Sequence, residues 1–515
     1  MTERYDVLVV GGGATGCGLV RDLAMRGARA LLVEQGDLCH GTSGRFHGLL
    51  HSGGRYVTRD PQAAQECIRE NRIVRRIAAA CVEDTGGIFA WLGDDPEDYP
   101  AEFQEGCRAA GIECQEISGA SARQEEPLLN PLVQRAFKVP DAAIQSFNLT
   151  EANVRAATAH GATVRLRTKL TGLVVEQGRI VAADLTAPDG SDPERVEIGC
   201  LASAAGIWAG KVAQLAGADI AMDPGWGVMV IMNGRLCRQV VNRCRPPGDA
   251  DIVVPVGTVC IVGTTDRTID RLEGYEITRA EVREVIAGGA ELLPAVDQRL
   301  VLRVFAGARP IYDPTAGQSR DDSRFLSRSH TVIDHEQDGI ENFVSIVGGK
   351  LTTYRLMAED AADRVARKLH LTAPCRTAEE PLPGSEKQRG WMLGGRLEHN
   401  EGPARGGADA DLVCECELVT RGNLEAFFAE HPSAPLDDAL RALRLGMGPC
   451  QGCFCALRAL GIRQIGIDEG ERALEVLRDF LEERMRGNRS ILWGDQARQH
   501  RLTEIVYREL LAVDR

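Results

Sequence analysis

The first hydrophobic run of the chain, residues 5–10, has the length and composition of a buried β-strand. A glycine-rich turn follows it, and apolar residues such as Leu19, Val20 and Leu23 then recur at helical spacing. A second short apolar run ends at Val33. This order of strand, glycine turn, helix and strand predicts a βαβ unit at the start of the chain.

The turn of this unit carries the pattern G-x-G-x-x-G at Gly11, Gly13 and Gly16. The first glycine permits a tight turn, the second lets a pyrophosphate approach the backbone, and the third lets the helix pack closely on the sheet. Glu34 ends the second strand, where an acid can accept hydrogen bonds from a ribose hydroxyl. The segment therefore predicts a dinucleotide site at the helix N-terminus.

Strand patterns dominate the middle of the chain. Residues 164–185 are typical of a hairpin, and residues 222–347 are rich in short apolar runs interrupted by a helix at about 279–293. The last strand, 343–347, leads through a second glycine turn into a helix at about 355–369. Many strands with few helical crossovers predict an antiparallel sheet, and hence a second domain interleaved with the first.

Length and charge limit the possible functions. A chain of 515 residues predicts two or three domains. A net charge of −14 argues against general nucleic-acid binding, which needs a basic face. No apolar run approaches the roughly 20 residues of a membrane span, since Pro255 and Gly257 interrupt the strongest candidate, 252–262. The first strand leaves no room for a signal peptide.

The cysteines are distributed unevenly. Of the 16, five lie between Cys414 and Cys455, in the pattern C-x-C, 33 residues, C-x-x-C-x-C. In a chain without a signal peptide, such clustering indicates metal or redox chemistry in a reducing compartment, and we expect the protein to be cytoplasmic.

Three further segments complete the organisation. Residues 41–56 contain five glycines, two histidines and two arginines, a mixture that suits a backbone-lined binding loop; an ordinary surface loop is the alternative. Residues 371–410 are rich in Pro, Gly and charge and predict a linker. The tail, 471–515, has an apolar stripe at helical spacing, which predicts packing rather than membrane anchoring.

Together these motifs resemble those of the FAD-dependent glycerol-3-phosphate dehydrogenases, which have a D-amino-acid-oxidase-like fold. The resemblance covers essentially the full length and is strongest to the large catalytic subunits of the anaerobic bacterial enzymes. The segments that carry it are GGGATG at 11–16, RFHGLLHSGGRY at 45–56, AAGIW at 204–208, GTTD at 263–266, GARP at 307–310, GGKLTTYRLMAE at 348–359, VCECE at 413–417 and GMGPCQG at 446–452.

The resemblance implies an α/β fold. A glutathione-reductase-type, Rossmann-like FAD domain would contain an intercalated antiparallel substrate domain, and a small helical 2Fe–2S domain would follow. The expected division is an oxidoreductase domain at 1–370 (FAD part about 1–80, 146–220 and 340–370; substrate part about 81–145 and 221–339), a linker at 371–408, a ferredoxin-like domain at 409–470 and a helical tail at 471–515.

The resemblance also implies the positions that bind FAD. Those expected around its ADP half are Gly11, Gly13, Ala14, Thr15, Gly16 and Glu34. Those expected along the ribityl chain and flavin are Thr42, Ser43, His47, Gly48 and Leu49. Gly206 is a further expected contact, and the residues expected to close the site near the isoalloxazine ring are Gly348, Gly349, Lys350, Leu351 and Thr352.

The implied reaction is oxidation of the C2 hydroxyl of sn-glycerol 3-phosphate to the ketone of dihydroxyacetone phosphate, with hydride transfer to the flavin. Phosphate recognition requires converging guanidinium or ammonium groups, for which Arg55, Arg309 and Lys350 are the candidates, with Tyr56 as a hydrogen-bonding wall. His51 is a candidate proton acceptor, or else a structural histidine. Residues 224–228 lack the histidine expected in the aerobic branch.

The cysteine-rich segment resembles the small ferredoxin associated with bacterioferritin, in which four thiolates bind a 2Fe–2S cluster. The implied ligands are Cys414, Cys416 and Cys450, with a fourth that depends on the comparison. The glycerol-3-phosphate branch favours Cys455, whereas the free-standing ferredoxin favours Cys453. A zinc site built from the same thiolates is the alternative to the cluster.

Electrons would then pass through the 2Fe–2S cluster to membrane-associated partner subunits and a quinone, which would hold the protein at the inner membrane peripherally. Two other functions are compatible with the sequence. One is an amino-acid or opine oxidase of the same fold, and the other is a non-catalytic electron-transfer module. Two arginines and a lysine in one pocket favour a phosphate substrate over a carboxylate.

Overall fold

The computed structural model of the chain describes residues 2–269, 275–312, 329–386, 394–397, 411–432, 434, 436–463 and 470–510. Parts of the predicted substrate domain, most of the predicted linker, parts of the ferredoxin-like domain and the last five residues of the tail lie outside the described residues.

The strands are β1 Arg4–Val10, β2 Ala30–Val33, β3 Leu49–Leu50, β4 Val82–Glu83, β5 Gly87–Leu92, β6 Gln115–Ser118, β7 Val133–Val139, β8 Ala142–Ile144, β9 Thr163–Arg165, β10 Lys169–Glu176, β11 Arg179–Thr186, β12 Glu194–Ser203, β13 Gly225–Met232, β14 Val240–Arg243, β15 Ile252–Val256, β16 Val259–Gly263, β17 Arg267–Thr268, β18 Val301–Arg309, β19 His330–Asp334, β20 Phe343–Gly348, β21 Leu412–Cys414 and β22 Val419–Thr420.

The α-helices are α1 Ala14–Met25, α2 Pro61–Ile77, α3 Tyr99–Ala110, α4 Gly119–Glu125, α5 Ser146–Ala159, α6 Ala209–Leu215, α7 Arg279–Leu292, α8 Tyr354–Leu369, α9 Arg421–Glu430, α10 Leu436–Leu443, α11 Cys455–Ile462, α12 Gly470–Arg486 and α13 Gly494–Ile505.

The first sheet has a parallel centre in the order β9-β2-β1-β12-β20. Both faces of β1 are buried, because Val7 and Val9 pack towards α1 and α8 while Leu8 and Val10 pack on the opposite side. Burial on both faces explains why this strand is a continuous apolar run in the sequence. The carboxyl ends of β1, β2 and β20 open onto one cavity.

The second sheet has nine strands, of which β17-β13-β16-β15-β14-β5-β7-β6 form one path and β18 pairs with β13. Its pairs are antiparallel except β5 with β14, which run parallel. The expected antiparallel sheet thus contains one parallel pair. A long connection through the first domain separates these two strands, so no hairpin forces them to run in opposite directions.

The C-terminal helices and the β21–β22 hairpin share one hydrophobic core. The cysteine-bearing region contributes residues such as Val419 and Leu440, and the tail contributes Leu477, Phe480 and Tyr507. The predicted helical tail is therefore two helices, α12 and α13, packed on the cysteine region. No helix in the described part of the chain is both long and apolar enough to cross a membrane.

The cysteine region packs against the rest of the protein through specific polar contacts. Arg441 bonds to Asp37 at 3.1 Å and lies over the ring of Phe147. On the other side, Thr258 Oγ1 donates to Glu417 Oε1 at 2.8 Å. The turn between β15 and β16 thereby touches the residue that follows Cys416.

Candidate functional site

A cavity of about 1050 Å³ lies between the two sheets. It brings together nearly all of the site residues predicted from the sequence. The predicted residues that line it are Gly11, Gly13, Ala14, Thr15, Glu34, Thr42, Ser43, His47, Leu49, His51, Arg55, Tyr56, Gly206, Arg309, Gly348, Gly349, Lys350, Leu351 and Thr352. Gly16 and Gly48 lie behind its wall.

The dinucleotide end of the cavity depends on close backbone packing. Gly11 has a φ of +113°, and a Cβ there would lie 2.6 Å from the carbonyl oxygen of Ala204. A Cβ on Gly16 would overlap the carbonyl oxygen of Gly11. The two glycines let β1, the turn and α1 come together, so that the first amides of α1 face the cavity.

Glu34 is held in place by the loop around it. Its Oε2 accepts the backbone N–H of Gly12 at 2.7 Å, and its Oε1 accepts that of Gly36 at 2.8 Å. Ser43 Oγ accepts the N–H of Ala14 at the start of α1. The carboxylate is therefore positioned at the cavity edge, where it can accept further hydrogen bonds from a ribose.

Gly48 supports the binding loop from behind. Its φ is +86°, and a Cβ there would lie 3.2 Å from Val256 Cγ2 on β15. A larger residue would push the loop away from the second sheet and into the cavity. Gly48 thus shapes the cavity wall without lining it.

Arg309 is positioned at the opposite end of the cavity by several partners. Its guanidinium donates to Asp266 Oδ1 at 2.8 Å, to the carbonyl of Thr265 at 3.0 Å and to the hydroxyl of Thr264. A Cβ on Gly227 would lie 2.8 Å from Arg309 Nη2. Glycine in the 224–228 segment, which lacks the expected histidine, thus leaves space for this guanidinium.

Two more cationic groups line the same end. Arg55 Nη2 lies 3.4 Å from the carbonyl oxygen of Gly248 and 3.9 Å from Asp251. Lys350 Nζ lies 4.8 Å from the centre of the Tyr56 ring. Positive groups from the first loop, from β18 and from the turn after β20 therefore converge on one region of the cavity, which suits a small anionic ligand.

Two histidines stand beside these cations. The rings of His47 and His51 are 5.6 Å apart, and that of His51 is 5.7 Å from the ring of Tyr56. Burial lowers the pKa of His47 to about 3, helped by Arg55 and Arg309. Burial, His47 and Arg55 hold the pKa of His51 well below its ordinary range. Both rings are therefore neutral at pH 7, and each can accept a proton or a hydrogen bond.

The low pKa of His47 leads to a prediction about stability. The unfolded chain binds this proton below about pH 6.5, whereas the folded protein resists it, so the His47 contribution is complete above about pH 6.5 and is lost as pH falls towards 3. In thermal unfolding of FAD-free protein, we expect His47→Gln to recover about 1–2 kcal/mol at about pH 5 relative to about pH 7.5. The exposed His370→Gln is the control. Equal pH dependence of His47→Gln and wild type would contradict the expectation.

Sequence reasoning missed the residues that hold the site together. Asp266 binds Arg309, and its side chain is 5% exposed. Asn71 is fully buried, and its Nδ2 donates to the carbonyls of Leu50 and His51. Asp266 belongs to the GTTD motif, so a signal existed for it. Asn71 lies within a charged helix, α2, where its sequence neighbours give no indication of its role.

Four of the five clustered cysteines form a closed group. The thiols of Cys416 and Cys455 both donate to Cys414 and both donate to Cys450, which lowers the pKa of the two acceptor thiols. The thiol of Cys453 points elsewhere and lies 3.6 Å from Thr503 Oγ1. Among the described residues, no three or more His, Cys, Asp or Glu side chains are arranged to hold a single metal ion.

Comparison with known proteins agrees with this geometry. The sequence model of the family "FAD dependent oxidoreductase" (DAO) matches residues 6–364. The A1 subunit of the anaerobic glycerol-3-phosphate dehydrogenase of Haloferax volcanii is 41% identical over 98% of this chain and 90% of that protein. The corresponding large subunit of the Escherichia coli K12 enzyme is 39% identical over 100% of this chain and 98% of that protein. The chain belongs to this family of large subunits of anaerobic glycerol-3-phosphate dehydrogenases.

Solved structures of low sequence identity share the fold of this family member. The glycerol-3-phosphate dehydrogenase of Bacillus halodurans, complexed with FAD, has a TM-score of 0.59 at 20% identity and covers 98% of this chain and 90% of its own. Glycine oxidase from Geobacillus kaustophilus has a TM-score of 0.56 at 19% identity, with 74% and 99% covered. The predicted fold class and family resemblance are confirmed, and this dehydrogenase family member is an FAD-dependent oxidoreductase.

Proposed function

We propose that this enzyme oxidises sn-glycerol 3-phosphate to dihydroxyacetone phosphate. The observation that carries the proposal is the convergence of Arg55, Arg309 and Lys350 on the end of the cavity opposite the dinucleotide turn. Three cationic groups suit a phosphate dianion better than a single carboxylate. The names of the relatives, which are glycerol-3-phosphate dehydrogenases, support the same substrate.

The chain supplies binding, orientation and a proton acceptor. Arg55, Arg309 and Lys350 would bind the phosphate, and Tyr56 would form one wall beside Lys350. The FAD-binding positions remain those inferred from the sequence, and FAD, when bound, supplies the hydride acceptor. A substrate held by its phosphate presents its C2 hydroxyl to the neighbouring neutral histidines.

His51 is our candidate for the group that takes the hydroxyl proton. Its ring is neutral, and its backbone is fixed on both sides, since its N–H donates to Thr352 Oγ1 and its carbonyl accepts from Asn71. A histidine in this state is a weak base until a nearby negative charge raises its pKa. A bound phosphate dianion would supply that charge, so proton transfer would depend on substrate binding.

An anaerobic absorbance experiment tests the substrate. The purified protein is reconstituted with FAD and mixed with sn-glycerol 3-phosphate, and bleaching of the flavin band is followed in a stopped-flow instrument. Rapid bleaching supports the proposal. Bleaching by amino acids or opines but not by glycerol 3-phosphate would favour the oxidase alternative, and no bleaching by any of them would favour a non-catalytic electron carrier.

We further propose that Cys414, Cys416, Cys450 and Cys455 bind a 2Fe–2S cluster. Two facts support this ligand set: the four thiols contact one another in a closed group, and Cys453 is turned towards Thr503. A 2Fe–2S cluster needs only two protein ligands on each iron, so a site for a single metal with three or four ligands is not required. A Cβ on Gly448 would overlap Cys416, so this turn must approach the cluster closely.

Two cysteine variants separate the candidate ligands. We expect Cys455→Ser to lose the cluster, because it removes one of the four contacting thiols. Cys453→Ser, the matched control, should keep full iron and sulfide content and the visible absorption beyond the flavin band. Loss of the cluster in Cys453→Ser with retention in Cys455→Ser would reverse the assignment, and stoichiometric zinc without sulfide would replace the cluster by a zinc site.

The cluster would pass electrons to partner subunits. The relatives are named as subunits, which supports an assembly with other chains. We propose membrane-associated partners and a quinone as acceptors, with the protein on the cytoplasmic side of the inner membrane and peripheral to it. The proposed domain division at 370 and 409 places the cluster domain apart from the catalytic cavity. Purification of the native assembly from membranes, followed by quinone reduction with glycerol 3-phosphate, tests this arrangement.

A further inference from the structure

Two arginines flank the group of four thiols without a carboxylate partner. Arg396 is 6% exposed, and its Nη1 donates to the backbone carbonyls of Glu417 at 2.7 Å and Leu443 at 3.1 Å. Its Nη2 is buried and has no hydrogen-bond partner among the described residues. Arg396 thus carries a buried positive charge beside the Cys414–Cys416 segment, and it interacts electrostatically with Cys414.

Arg484 approaches from the tail. This partly buried residue of α12 donates from Nη1 to Gln451 Oε1 at 2.8 Å, and its guanidinium lies 4.9 Å from the centre of the Phe480 ring. It lines a cavity of about 50 Å³ together with Cys450. Within the part of the chain that the structure describes, neither Arg396 nor Arg484 forms an ion pair with a carboxylate.

The other charged groups near the thiols are already neutralised. Glu417 pairs with Arg444 at 3.0 Å, both side chains being buried. Glu415 pairs with Arg458, both partly exposed to solvent. The thiol group is therefore surrounded by balanced ion pairs and by two unbalanced positive charges.

Unbalanced buried charges are costly unless something nearby compensates them. Four thiolates with two ferric ions and two sulfides carry about two negative charges, and one-electron reduction raises this to about three. Two guanidinium groups offset the charge of the oxidised centre, and they stabilise the reduced centre more strongly because it is more negative.

We propose that Arg396 and Arg484 are positioning residues that raise the reduction potential of the centre bound by the four cysteines. The inference rests on the proposed 2Fe–2S cluster. Removing either charge makes uptake of one electron by the centre less favourable, while the thiolate ligands and the iron content stay the same.

The test is a redox titration of the anaerobically purified full-length holoprotein, followed by the absorbance and electron paramagnetic resonance signals of the centre. For Arg484→Gln and for Arg396→Gln, we expect the ratio of reduced to oxidised centre at a fixed potential to fall about tenfold. This corresponds to about 59 mV for a one-electron couple. Arg484→Lys and Arg396→Lys retain the charge and should stay close to wild type. Arg458→Gln, which removes an exposed and paired arginine, is the matched control and should not shift the potential.

The outcomes separate the possible explanations. Unchanged potentials in both glutamine variants at full iron content would overturn the inference. So would equal shifts in the lysine and glutamine variants, because shape and not charge would then matter. A glutamine variant that assembles no centre, while its lysine counterpart does, supports the charge requirement; loss in both overturns it. Absence of iron and sulfide from the wild type would instead overturn the proposed cluster.

Discussion

Replacing Gly16 by alanine should give a protein that is purified without FAD. A Cβ at this position would overlap the carbonyl oxygen of Gly11, which is backbone and cannot rotate away. Relief of the overlap requires α1 to move from the end of β1. The amides at the start of α1 and the turn around Gly13 would then no longer present one surface to a pyrophosphate.

The measurement is the ratio of flavin to protein after purification, together with the FAD dissociation constant of the apoprotein. We expect affinity to fall by at least about a hundredfold, which corresponds to about 3 kcal/mol. Gly461→Ala is the matched control, because a Cβ there meets no described atom within 4 Å and alanine is favoured within α11. Normal flavin content in Gly16→Ala would show that the turn tolerates the displacement.

Replacing Arg309 by methionine should lower kcat/KM for sn-glycerol 3-phosphate by about two to three orders of magnitude, or about 3–4 kcal/mol. The variant loses one of the three cationic groups at the end of the cavity. It also leaves Asp266, whose side chain is 5% exposed, without its guanidinium partner. Activity and stability should therefore both fall, for separate reasons.

A double variant distinguishes the two effects. Asp266→Asn combined with Arg309→Met removes the buried carboxylate charge, so it should recover much of the lost melting temperature but none of the activity. Flavin reduction by dithionite in all variants shows whether the FAD site is intact. Recovery of kcat/KM in the double variant would mean that Arg309 acts only by neutralising Asp266.

The local patterns that the sequence predicted well share a physical property: each depends on residues adjacent in the chain. The strand, glycine turn and helix of residues 5–25 are visible because burial on both faces makes β1 uniformly apolar and because Gly11 needs a positive φ. The helices predicted at 279–293 and 355–369 end within one residue of α7 and α8. The spacing of the clustered cysteines likewise indicated metal chemistry.

Features that depend on distant segments could not be read in this way. The parallel pairing of β5 with β14 joins strands separated by almost 150 residues. Gly48 matches a binding motif, but Val256, which lies over 200 residues away, determines that it supports the loop from behind. The early part of the predicted linker packs on α2, where Leu382 is 1% exposed and its N–H donates to Ile77.

The sequence by itself determined the fold class, the family and the kinds of chemistry, because glycine turns, strand periodicity and cysteine spacing act over short distances. Only the tertiary structure decided that Asp266 holds Arg309, that Cys455 joins the other three thiols while Cys453 faces Thr503, and that two arginines flank this group. These arrangements depend on the directions of side chains from separate segments, which packing of the whole chain determines.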